Sequence, residues 1–171
     1  MRSMAARLTV LAAIVVAGCG YRLTSSPQGR MPAGRTVWVT FPRNETISQS
    51  AQTTVRRTLY EELHAARGLT SAADVHSADF QLSGRIVSYA SRIISYTASD
   101  QAREYRLTTE VELEVRRNGE AAPLWKGILQ ASADFPAHSD LALQRNAEEA
   151  ALSALSRSIA GRLVAALEQA Y

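Results

Sequence analysis

The chain has 171 residues, 46% of them hydrophobic, with one cysteine and a formal net charge of +3. That length sets an expectation of a single domain with a sizeable core, and a lone thiol excludes an internal disulfide framework. So small a charge excludes the strongly basic surface that non-specific nucleic-acid binding needs.

The first seven residues carry Arg2 and Arg7 and no acid, and Leu8 to Val16 is almost wholly apolar. Ala17 and Gly18 then precede Cys19. A basic start, a short apolar run and small residues before a cleavage point define a secretory signal peptide. The run is well short of the roughly 20 residues that cross a bilayer as a helix. Small side chains let an extended backbone enter a peptidase cleft, and the thiol that follows is a nucleophile for a diacylglyceryl group. Val16-Ala17-Gly18-Cys19 therefore resembles the lipobox of bacterial lipoproteins, which implies cleavage after residue 18 and lipidation of Cys19. The alternative is a buried free cysteine closing an ordinary apolar segment. Gly20 stands where aspartate commonly retains a lipoprotein at the inner membrane, so the resemblance implies the outer membrane. Without Arg2 and Arg7 the formal charge of +3 falls to +1. No segment after Cys19 reads as a membrane span, so covalent lipid alone would be the anchor; one acyl chain binds reversibly and stable attachment needs two.

Residues 20–35 hold two prolines and three glycines among serines and basic residues, the composition of a tether. Val37, Val39 and Phe41 alternate with polar neighbours, the period of two of a strand with one buried face, and Pro42 ends the run. From Ser50 to Arg67 the period becomes helical: Val55, Leu59 and Leu63 lie four apart opposite Arg56, Arg57, Glu61 and Glu62. Gly68 is a plausible C-cap. Asn44-Glu45-Thr46 matches a glycosylation sequon and is read as a strand-to-helix loop.

Alternation returns at Phe80, Leu82, Gly84 and Ile86, then loosens through Tyr89, Ile93 and Tyr96, which allows a bend or bulge near Ser91. The clearest strand follows. Tyr105, Leu107, Thr109, Val111, Leu113 and Val115 form a core face, and Glu104, Arg106, Thr108, Glu110, Glu112 and Glu114 a wet one. Asn118-Gly119 is a turn, and a fourth strand is expected from about Pro123 to Ala133. Leu152, Leu155, Ile159, Leu163 and Leu167 mark a long final helix over about 140–170, capped by Ser139 or Asp140. The order β-α-β-β-β-α predicts an α+β two-layer sandwich, two helices packed on a four-stranded, mostly antiparallel mixed sheet. The first two strands should be parallel across the helix. Domain limits follow: 1–18 cleaved signal peptide, 19–35 lipidated tether, 36–171 folded domain.

Catalytic patterns are absent from this sequence. His64, His76 and His138 lie far apart with no partner at metal-ligand spacing, and neither a phosphate loop nor a nucleophile elbow occurs. Glu110, Glu112 and Glu114 read as a solvated strand face flanked by Arg106 and Arg116. Arg85, Arg92, Arg103 and Arg106, with Tyr89, Tyr96 and Tyr105, gather around the connection between the second and third strands. Ordinary edge chemistry competes there with a surface for a partner or for anionic groups such as phosphates.

Several stretches in order resemble the LptE family of lipopolysaccharide-assembly lipoproteins: Cys19-Gly20-Tyr21-Arg22-Leu23, Phe41-Pro42-Arg43-Asn44-Glu45-Thr46, Ala78-Asp79-Phe80-Gln81-Leu82-Ser83-Gly84, Glu104-Tyr105-Arg106-Leu107 and Leu124-Trp125. The resemblance implies two helices on a four-stranded sheet, no enzymatic activity and no cofactor besides the lipid on Cys19. It also implies a lipid-anchored place at the inner leaflet of the outer membrane, where the protein plugs and helps assemble the β-barrel LptD. Lipopolysaccharide is then a ligand, with Arg85, Arg92, Arg103 and Arg106 as contact candidates. Two other classes fit the same features, an auxiliary lipoprotein of an ABC-type lipid transporter and a lipid-tethered periplasmic hydrolase.

Overall fold

The structure is a computed structural model that describes residues 34–40, 43–44 and 49–169. The signal segment, Cys19, the tether up to residue 33, Phe41-Pro42 and Glu45-Thr46 lie outside the described residues.

Among the described residues, six strands and two helices follow one another as β1 (Thr36–Val39), β2 (Arg43–Asn44), α1 (Gln49–Arg67), β3 (Thr70–Ser71), β4 (Phe80–Tyr96), β5 (Ala102–Arg117), β6 (Trp125–Pro136) and α2 (Leu141–Gln169). The sheet order is β3-β1-β4-β5-β6, and β2 pairs with β4 beyond the end of β1. As expected, β1 runs parallel to β4, with Val37 beside Phe80 and Val39 beside Leu82. Strands β4, β5 and β6 form an antiparallel meander. The α+β class is as the periodicities predict. Two parallel strands of two residues each, β2 and β3, enlarge the four-stranded sheet, and β6 runs to Pro136 rather than to Ala133.

Helix α1 lies against β1, β2 and β3, α2 lies on β5 and β6, and the helices pack on each other. Among the described residues, one face of the sheet is therefore covered and the other is bare. Leu107, Val111, Leu113 and Val115 of β5 meet Leu152, Leu155, Ile159 and Leu163 of α2 in a single buried cluster that also holds Phe80, Leu82, Val55 and Leu59. Burial of each large apolar side chain contributes about 1.5–3 kcal/mol. By length and composition alone α2 would suffice to cross a membrane, but its leucine face is spent on this core.

The helix ends form as their residues dictate. Asp140 Oδ1 accepts the Ala142 and Leu143 amides at 2.8 and 3.0 Å, which makes Asp140 the N-cap. Gly68, at φ +64°, gives its amide to His64 O at 2.7 Å and closes α1.

Irregularities in β4 differ from the expected bend near Ser91. Its register shifts between Ile86 and Ser88, and again between Ile93 and Tyr96. The first shift inserts Val87 and keeps Tyr89 and Ile93 on the helix side of the sheet, opposite Thr109 and Tyr105.

Candidate interaction surface at the β4–β5 tip

The sheet's pleat sorts the four arginines. Even-numbered residues of β5 face away from the helices, so Arg106 lies on the bare face, together with Arg85 and Arg92 of β4, which pair with Glu112 and Arg106. Arg103 has no partner on β4, since it falls at the register shift between Ser95 and Tyr96, and it lies where Ala137 donates its amide to Arg103 O at 2.9 Å. The structure thus does not gather the four into one cluster.

Two of them are already engaged. Arg106 forks onto Asp134 of β6, Nε to Oδ1 at 2.6 Å and Nη2 to Oδ2 at 2.8 Å. Those bonds, and then the opposite charge, hold the Asp134 carboxyl below its ordinary range and raise the Arg106 guanidinium. Arg85 donates from Nε to Glu112 Oε2 at 2.7 Å. Lys126 Nζ sits 3.5 Å from both Glu112 and Glu114, and Arg116 also reaches Glu114. The hydrogen bond from Arg85 is the first cause that lowers Glu112, and the one from Arg116 the first that lowers Glu114. Cross-strand cations therefore compensate two of the three glutamates of the expected acidic stripe. Arg92 stands directly opposite Arg106, an unfavourable like-charge placement, and among the described residues it meets no carboxylate. Arg103 is likewise exposed and without one.

The tyrosines also part company. Tyr89 Oη hydrogen-bonds Glu148 of α2 at 2.5 Å. Tyr105 stacks on Phe135, ring centroids 5.4 Å apart, while Tyr96 is 60% exposed at the tip. Sequence reasoning missed the apolar share of this end: Ile93 and Ile94 are each 40% exposed, and Leu141, at the start of α2, is 64% exposed. The one signal for it was Ile93-Ile94, two adjacent apolar residues where alternation allows one inside. On the bare face a groove of about 450 Å³ is lined by Ser88, Ala90, Arg92, Ile94, Arg106 and Thr108 among others.

A second recess, of about 460 Å³, opens at the other end of the sheet between Arg35, Asp79 and Arg117. Its charges are spent within the fold, Arg35 on Asp79 and Arg117 on Glu120. Among the described residues the histidines form no nucleophile-base pair: His64 Nδ1 bonds Leu69 O at 2.9 Å, while His76 and His138 engage Asp74 and Gln144 through their backbone amides. Among the described residues no group of His, Cys, Asp and Glu has the arrangement to hold a metal ion.

Comparison with known proteins agrees with that architecture. A family model described as "LptE: Lipopolysaccharide-assembly" matches residues 34–167. No curated protein matches the chain. Among solved structures, rare lipoprotein B from Shewanella oneidensis is 16% identical with a TM-score of 0.50, over 79% of this chain and 95% of that one. A protein from Xanthomonas campestris is 14% identical with a TM-score of 0.58, over 86% and 93%. PelC from Paraburkholderia phytofirmans, a dodecamer, is 17% identical with a TM-score of 0.52, over 81% and 91%. At such identities the likeness is one of fold.

Proposed function

The chain belongs to the LptE lipopolysaccharide-assembly family, and from that premise we propose that it is an outer-membrane lipoprotein which seats its domain in the polar lumen of the β-barrel LptD. Acyl chains on Cys19 hold it at the periplasmic face, and the barrel supplies the path for lipopolysaccharide. Its work is plugging, assembly and ligand contact, without a catalytic step and without a cofactor.

The observation that carries this reading is the bare sheet face. Arg85, Lys126 and Arg116 pair with Glu112 and Glu114 along it, and among the described residues no helix covers it. A face so compensated is stable against water or a wet, polar wall, and a barrel lumen is such a wall. Lipopolysaccharide carries phosphates and acyl chains together. Arg103 is the cation whose surroundings match, since it stands at the end of the domain where Leu141 and Leu143 are exposed.

Extraction in mild detergent tests the reading: the protein should co-purify with a large β-barrel. Recovery with an inner-membrane ATPase complex instead would overturn it in favour of the ABC-transporter alternative. Arg103→Glu should weaken binding to purified lipopolysaccharide without change in thermal unfolding, and unchanged binding refutes the assigned contact.

A further inference from the structure

Strand β4 is paired along its whole length by β5, but its other flank is covered only in part. β1 accompanies it over Phe80 to Leu82 and β2 over Arg85 and Ile86. The directions of the remaining backbone groups follow from two hydrogen bonds. Thr40 donates to Leu82 O on the β1 flank, and Leu124 donates to Val115 O on the β6 flank. Ladder groups alternate in direction along an antiparallel pair, so even-numbered residues of β5 turn toward β4. Their partners Ala90 and Arg92, opposite Thr108 and Arg106, bond inward. Ser91 and Ile93 then turn both N–H and C=O outward, and among the described residues nothing meets these four groups.

We propose that this flank of β4, centred on Ser91–Ile93, is a docking edge for one extended strand of another protein, and that the strand places an acidic side chain beside Arg92. Charge selects the occupant. Across the bare face the row runs Asp134, Arg106, Arg92, and its next place lies on the absent strand. A carboxylate there gives Arg92 the counter-charge that Asp134 gives Arg106. On the opposite side the incoming strand meets the half-exposed Ile93, so its acidic residue is flanked by apolar ones.

The same reasoning disfavours two nearer occupants. In a second copy of this chain, an antiparallel pairing that engages all four outward groups sets Arg92 opposite its own counterpart, like charge on like. The tether holds Arg22 and Arg30, two prolines and no acid, so beside Arg92 it brings like charge and no counter-charge.

Amide exchange on the isotope-labelled full mature chain tests the proposal. The probe is the peptide acetyl-Thr-Val-Glu-Val-Thr-amide, compared with its Lys-for-Glu counterpart. Without peptide, the Ser91 and Ile93 amides should exchange freely while those of Ala90 and Arg92 are protected. The Glu peptide should protect Ser91 and Ile93, and the Lys peptide should bind about two- to fivefold more weakly. Ser91→Pro removes an outward amide that the β4–β5 ladder does not use, which an edge strand tolerates, and should abolish binding; Ser91→Ala should retain it. Arg92→Glu should reverse the preference between the peptides, a readout that holds even if the proline variant fails to fold. Arg103→Glu should leave peptide binding unchanged, which separates this site from the lipopolysaccharide contact. Three results overturn the proposal: no protection by either peptide, equal binding of both, or Ser91 and Ile93 amides already protected in the peptide-free chain. In the last case, dependence on protein concentration identifies a second copy on the edge, and independence identifies a segment of the same chain.

Discussion

Asp79 shows why a short polar motif recurs at the entry to β4. Its Oδ2 accepts the Thr36 amide and the Thr36 hydroxyl, both at 2.9 Å, and the Asp79 amide returns a bond to Thr36 Oγ1 at 3.0 Å. One carboxylate thus fastens the start of β1 to the start of β4. Asp79→Ala orphans the Thr36 amide and should lower stability by about 1–3 kcal/mol, measured by urea unfolding at neutral pH. The bond from the Thr36 amide is the largest cause that depresses the Asp79 carboxyl below its ordinary 3.8. A depressed carboxyl stabilises the fold above its unfolded value, and that contribution fades as pH falls through the lower folded one. The stability gap between wild type and Asp79→Ala should therefore be full at pH 6 and shrink below about pH 4; a gap that widens in acid refutes the clasp. Five residues further, a Cβ on Gly84 would lie 2.2 Å from Glu112 O and 2.8 Å from the Leu113 side chain. Backbone cannot yield as a side chain does, so Gly84→Ala should cost about 1–3 kcal/mol through overpacking. Ala78-Asp79-Phe80-x-Leu82-x-Gly84 is thus a structural motif: buried alanine, clasp, two core side chains and a close approach.

Between elements, the same kind of tie joins α1 to β1. Tyr60 Oη accepts the Val39 amide at 2.9 Å, and Arg56 Nε donates to Val39 O at 3.2 Å. Tyr60→Phe keeps the ring and leaves that amide without an acceptor, so it should cost about 1–2 kcal/mol in thermal or urea unfolding, whereas Tyr96→Phe, at a position 60% exposed, serves as a reference. The elements themselves were legible where one face dominates. Four apolar residues at alternate positions between Leu107 and Val115, with Thr109 among them, and the leucine stripe of α2 could be placed because each has a single dry side. What stayed hidden depends on partners far along the chain. The two-residue strands β2 and β3 are too short to show any period. The bulge at Val87 lies between Ile86 and Ser88, with no glycine or proline beside it, so no adjacent residue marks it. The pairing of Arg106 with Asp134, 28 residues on, exists only once the β5–β6 register is set. That is why four arginines that look equivalent in the sequence divide into two engaged and two available.

At the scale of the whole molecule, the two faces of the sheet make opposite demands. The helix side builds a private core that asks nothing of a partner, while the bare face and the β4–β5 tip carry the compensated charges, the available arginines and the exposed isoleucines. Folding and location should therefore be separable. Among the described residues every member of the buried cluster lies between Val37 and Leu167, so a fragment of residues 34–171 should unfold cooperatively at the same midpoint as the full chain in detergent. Cys19→Ser should leave that midpoint unchanged and release the protein from the membrane fraction, because reversible attachment is the most that a chain with fewer than two acyl groups sustains. Cell fractionation with parallel calorimetry reads both halves. A Cys19→Ser protein that stays with the outer membrane after removal of the proposed barrel partner would mean that the folded domain, and not a lipid, supplies the anchor. A fragment with a lower midpoint would mean that the tether packs on the domain. If both halves hold, the tip and the bare face are free to be judged as binding surfaces alone, since variants there can then be compared in a soluble domain whose fold owes nothing to lipid.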